Sequence, residues 1–125
     1  MPARFFLAIA GLAGALSVAG DAVATHLLAA EPERLALGAT AARYGLIHAA
    51  ALVALAFLIE RRRGLWLTIA AWCFVAGLVL FCGSLDLLAA GAPHGFAIAA
   101  PWGGTAFILG WLAVLIAALR PSKAN

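Results

Sequence analysis

Apolar residues run almost unbroken through four segments, Phe5–Ala24, Tyr44–Ile59, Leu65–Leu88 and Trp102–Leu119, and nearly every charge falls in the gaps between them. A helix needs roughly 17–25 residues to cross a hydrocarbon layer about 30 Å thick. Three segments meet that length outright, and the second does so once Thr40–Ala42 are included. Within lipid the backbone finds no water to bond, so spanning segments of this kind must be helices. The pattern predicts an all-α, polytopic membrane four-helix bundle, one transmembrane domain over 1–125 with spans at about 5–24, 41–59, 65–88 and 102–119.

Composition agrees. The chain is 66% hydrophobic and 10% charged, with mean hydropathy +1.10, whereas soluble domains carry about 45–50% apolar and about 25% charged residues. The net charge of +3 does not imply nucleic acid, because the basic residues form no aromatic-interleaved stripe. They are a topology signal instead, since cytoplasmic loops are enriched in Lys and Arg. Arg4, Arg61–Arg63, Arg120 and Lys123 fall on one side of a four-pass chain, while Arg34 and Arg43 fall on the other, offset by Glu31 and Glu33. Both termini are therefore expected in the cytoplasm, with loops 29–43 and 89–101 outside. Arg4, the first apolar stretch and Ala22-Val23-Ala24 together have the look of a signal peptide. The stretch exceeds the usual apolar region of about 7–15 residues, and Asp21 sits just before the supposed cleavage site, so an uncleaved first span is expected.

The loops are short. Arg61–Gly64 is a tight turn that makes spans two and three antiparallel neighbours, and Pro32-Glu33-Arg34 can start a short helix at its proline, followed by an amphipathic turn over Leu35–Ala42. Small residues form packing seams: Gly14, Ser17, Asp21 and Thr25 on span one, Cys73, Gly77 and Ser84 on span three, and Gly103, with Gly104 beside it, and Gly110 on span four. Such residues let helix backbones approach closely in lipid. Cys73 and Cys82 lie nine residues apart on one helix, about 13 Å along its axis, too far for a disulfide.

Ionisable groups in spans are costly, and their depth matters. Asp21 lies about 25 Å along the helix from Arg4, and Asp86 about 34 Å from Arg63, so both sit near the far boundary. His48 lies about 18 Å from Glu60 and is the most deeply placed. Asp21, His26, Arg43, Tyr44, His48, Asp86 and His94 thus form a layer in one half of the bundle. On the structural reading, which is the default, Asp21 or Asp86 pairs with Arg43, His48 bonds a neighbouring carbonyl or hydroxyl, and Tyr44 joins the aromatic belt. On the sharper reading, His26, His48 and an aspartate converge on a metal or proton site, although no i,i+4 histidine pair and no HExxH is present. Ser84 lacks a Gly-x-Ser-x-Gly elbow, and a conducting pore would need an oligomer.

Gly20–Leu27, Thr40–Ala49, Gly83-Ser84-Leu85 and Pro101–Phe107 with Gly110-Trp111 resemble, in order and over nearly the whole chain, the YgdD-like family of small four-span bacterial inner-membrane proteins of unknown function. That family is related to the eukaryotic transmembrane protein 256. The resemblance implies fold and location, and it assigns His26, Tyr44, His48, Ser84, Pro101, Gly103 and Gly104 to characteristic positions. Asp21 and Asp86 depart from the usually uncharged pattern, and Arg43 stands where a neutral polar residue is common. The expected role is that of a non-enzymatic structural or accessory membrane protein, with no cofactor. The bilayer surrounds it, and a homo-oligomer or a membrane-protein partner is the expected association. The alternative is a proton- or metal-linked transport element built on the His/Asp cluster.

Overall fold

The computed structural model describes residues 2–121; Lys123, one of the basic residues of the topology argument, lies outside them. Four helices are long and apolar enough to cross a membrane: Pro2–Leu27, Pro32–Arg62, Leu65–Ala89 and His94–Leu119. Their order is α1 (Pro2–Leu27), α2 (Pro32–Arg62), α3 (Leu65–Gly77), a π-helical turn (Leu78–Cys82), α4 (Gly83–Ala89), a 3-10 turn (His94–Ile98) and α5 (Ala99–Leu119).

The central element is α2, which packs against α1 on one side and against the third span on the other. It buries ten residues, whereas α1 and α5 bury four each. On α1 the inward residues are Phe6, Ala10, Ser17 and Ala24, one or two helical turns apart on a single stripe. Its other faces carry exposed leucines and valines, including Leu12, Leu16 and Val23, as lipid contact requires. The α1–α2 seam is made of small residues. A Cβ on Gly45 would overlap the Ser17 hydroxyl, and one on Gly38 would come within 2.9 Å of the Ala24 methyl. Asp21 and Thr25, which the sequence pattern placed on this seam, fall one position off the Ser17–Ala24 stripe and are exposed.

Two boundaries differ from the apolar pattern. Helix α2 does not begin near residue 41. It starts with Pro32 in its first turn and runs 31 residues, about 46 Å, so the short helix and amphipathic turn expected at 32–42 are the first turns of the second span itself. Gly38 is the only apparent breaker there, and it serves instead as the point where α2 meets Ala24. At the other end Arg63 takes a left-handed conformation, φ 45°, and its N–H closes on the Ile59 carbonyl. A non-glycine residue in that region is strained. Arg63→Gly is therefore expected to stabilise the protein by about 0.5–1 kcal/mol, read as a raised unfolding midpoint in detergent by circular dichroism.

The third span is not a regular helix. Gly83 N–H bonds the Leu78 carbonyl five residues back, which widens one turn. Inserting a residue rotates everything beyond it by about 100° relative to α3. The consequence is a change in packing: α3 packs on both α5 and α2, whereas α4 stays on α2 and nearly leaves α5. Gly77 and Ser84, seven residues apart and on one face of a regular helix, are thereby put out of phase, Gly77 facing Phe107 of α5 and Ser84 lying on α4 beyond the wide turn.

Against α5 the third span forms a reciprocal interlock. A Cβ on Gly77 would overlap the Phe107 ring, one on Gly110 would come within 2.5 Å of the Phe74 ring, and one on Gly103 would overlap the Phe81 backbone. These three pairs (Phe74 with Gly110, Gly77 with Phe107, Phe81 with Gly103) share a single antiparallel register. Each glycine supplies the hole for a facing aromatic residue, which lets the helices close with large rings between them.

Helix α4 ends on Gly91, whose φ of 97° only glycine adopts without strain. Ala92 N–H bonds the Leu87 carbonyl and Gly91 N–H bonds the Leu88 carbonyl, a Schellman cap. The Ala89 carbonyl, left over by that cap, accepts a 2.7 Å hydrogen bond from Arg34 Nε of α2. Near the Arg61–Arg63 turn, the Arg120 guanidinium lies 5.1 Å from the Trp66 ring centroid and ties the end of α5 to the start of α3.

Candidate functional site

Among the described residues His48 is the one buried side chain of the acidic and basic types, at 3% exposure. It sits on the inward stripe of α2, between Gly45 and Leu52. Two other spans close around it. Phe107 of α5 stacks on the imidazole at 3.6 Å between centroids, Phe74 of α3 meets it edge-on at 5.1 Å, and Trp111 of α5 lies at 5.9 Å. Tyr44, one turn earlier on α2, extends the cluster to Phe81 at 4.9 Å. The interlock positions these rings, since Phe107 rests on Gly77 and Phe74 on Gly110.

Both ring nitrogens are engaged. Nδ1 lies 2.7 Å from the Tyr44 carbonyl oxygen, and Trp111 Nε1 donates to Nε2 at 3.0 Å. An indole N–H is a donor only and a carbonyl oxygen an acceptor only. Nε2 must then present its lone pair and Nδ1 must carry the proton, which defines a neutral imidazole of one tautomer. No lone pair is left for a metal and no N–H for a proton acceptor unless one of these two bonds is broken.

The rest of the predicted layer does not gather around it. Asp21, His26 and Arg43 are exposed, each off the buried stripe of its own helix. Among the described residues the one ion pair is Arg34–Glu31 at 2.7 Å, so the expected partnership of Asp21 or Asp86 with Arg43 is not formed. Nor is any group of three or more His, Cys, Asp or Glu side chains placed to hold a metal ion among those residues. His26 ends α1, where a basic residue suits the helix dipole. Ser84 is buried and its hydroxyl donates to the Phe81 carbonyl at 2.9 Å, within its own helix. Asp86 stands apart, its carboxylate beside Gly20 of α1. Gly14 faces Ala49 at ordinary contact distance, and Gly104 faces the Phe81 ring. Cys73 and Cys82 are both free.

Two features escaped the sequence reading. Trp111 is the partner that fixes His48, and Arg34 is the clamp on α4. The first had a signal: Phe74, Gly77 and Phe81 read against Gly103, Phe107 and Gly110 give a complementary large–small order that places Trp111 beside His48. The second had none, because Arg34 reaches a backbone carbonyl 55 residues away.

Residues 20–104 match the family described as protein of unknown function (DUF423). The inner membrane protein YgdD of Escherichia coli K12 is 33% identical over 122 residues, covering 96% of this chain and 93% of its own. The membrane protein YwdK of Bacillus subtilis is 32% identical over 120 residues, covering 94% and 98%. A Haemophilus influenzae membrane protein is 33% identical over 112 residues, covering 87% and 89%. No solved structure matches the chain significantly.

Proposed function

From the premise that this chain belongs to the DUF423 family, whose function is unknown, we propose that it works in the bacterial inner membrane as a non-enzymatic structural or accessory protein. Both termini and the Arg61–Arg63 turn face the cytoplasm, and a second copy or another membrane protein is its partner. The observation that carries this reading is the state of His48. The most deeply placed ionisable group is held by two intramolecular hydrogen bonds and an aromatic enclosure, so it serves the packing of three spans and keeps neither ring nitrogen free.

Reconstitution separates this reading from transport. Proteoliposomes carrying the purified protein and a lumenal pH dye should leak protons no faster than empty liposomes, with or without an imposed pH gradient. A proton flux that falls in a His48→Phe, Trp111→Phe variant would overturn the proposal. For sidedness, a C-terminal green fluorescent protein fusion should fluoresce, and a C-terminal alkaline phosphatase fusion should be inactive; the reverse pattern contradicts the topology.

A further inference from the structure

At the end of the bundle away from the Arg61–Arg63 turn, a cleft of about 360 Å³ opens between the end of α1, the start of α2 and the end of α4, within the roughly 300–1,000 Å³ typical of small-ligand sites. Its walls include Val23 and Leu27 of α1, which are 55% and 75% exposed, so it opens sideways into the lipid that surrounds the bundle. Arg34 and Asp86 both line it.

Those two side chains are unequally occupied. The Arg34 Nε is taken by the Ala89 carbonyl and Nη1 by Glu31. Its Nη2 and the Asp86 carboxylate make no hydrogen bond or ion pair among the described residues. Asp86 lies three residues before Ala89, one turn along α4, and both it and Arg34 line the cleft. Glu31, paired with Arg34 Nη1 just outside the cleft, brings the local formal charge to one negative unit. That arrangement suits a ligand with an ammonium for Asp86, an anionic group for the spare Arg34 edge, and an apolar tail for Val23 and Leu27. A purely anionic headgroup would meet two carboxylates.

We propose that this cleft binds an aminophospholipid headgroup, its ammonium on Asp86 and its phosphate on Arg34 Nη2, with an acyl chain lying along α1. Hydrogen-bonded recognition of the ammonium distinguishes a primary amine from a quaternary one, because the latter has no N–H to donate.

The test is native mass spectrometry of the intact protein in non-ionic detergent, titrated with dimyristoyl phosphatidylethanolamine, phosphatidylcholine or phosphatidylglycerol. One phosphatidylethanolamine should be retained in preference to the other two. Asp86→Asn should weaken its retention about tenfold, the loss of one charge-assisted hydrogen bond. Glu31→Gln, which removes a negative charge from beside the cleft, should raise phosphatidylglycerol retention and leave the ethanolamine lipid in place. Circular dichroism confirms that each variant keeps its helices, and Glu31→Gln is a gain that misfolding cannot mimic. Equal retention of the three lipids, or retention of phosphatidylethanolamine unchanged by Asp86→Asn, overturns the assignment.

Discussion

Replacement of Gly103 by alanine is expected to separate the fourth span from the third and to destabilise the bundle by about 3 kcal/mol, the upper end for overpacking a tight interface. The reason lies in what the added methyl would meet. At Gly103 it overlaps the Phe81 backbone nitrogen, which moves only if the helix moves, and Phe81 belongs to the π-helical turn that redirects the third span. At Gly77 the obstacle is the Phe107 ring, which can be trimmed. Gly77→Ala should therefore be substantially rescued by Phe107→Leu, giving a coupling of at least about 1 kcal/mol in a double-mutant cycle. Gly103→Ala with Phe81→Leu should be close to additive. Unfolding in mixed micelles with increasing sodium dodecyl sulfate measures all of these variants.

Trp111→Phe is expected to cost about 1–3 kcal/mol, because it strands the His48 Nε2 lone pair in an apolar interior where no water can replace the indole N–H. His48→Phe alone leaves the Trp111 N–H without its acceptor and also loses the bond to the Tyr44 carbonyl. Changing both to phenylalanine removes donor and acceptor together and keeps the ring stack on Phe107. The double variant should thus be more stable than the sum of the single changes predicts. A simple sum would mean that the 3.0 Å Trp111–His48 bond contributes nothing.

The membrane class and the four spans were legible because one constraint dominates: in hydrocarbon the backbone must satisfy itself, so long apolar runs have one solution. The limits of α2 were not legible from apolarity. Residues 32–42 are mixed in character, and they are helical because Gly38 seats against Ala24 and Arg34 reaches Ala89. The π-helical turn had no local signature, since Leu78–Cys82 reads as ordinary apolar helix. Only its tertiary consequence marks it, the near-loss of α5 contact beyond the turn. The same turn explains why the Gly77–Ser84 face drawn at 100° per residue does not survive.

The candidate site divides in the same way. Counting residues from Glu60 drew attention to His48 by its depth along α2, which needs only a regular helix; its burial, 3% exposed, depends on the face it occupies. Where the other charges point depends on the rotational phase of each helix. A one-position difference between Ser17–Ala24 and Asp21–Thr25 decides whether a carboxylate faces the bundle or its surroundings. Composition does not supply that phase, so the convergence of the polar residues was not legible.

The state of His48 can be observed directly. Nitrogen-15 NMR of the protein with labelled histidine in lipid bicelles, assigned by comparison with His48→Gln, reports which ring nitrogen holds a proton. A neutral imidazole protonated at Nδ1, with Nε2 shifted by Trp111→Phe, is the predicted result. A proton on Nε2 at neutral pH, or a His48 signal that does not respond to the change at Trp111, would contradict an imidazole locked between Tyr44 and Trp111.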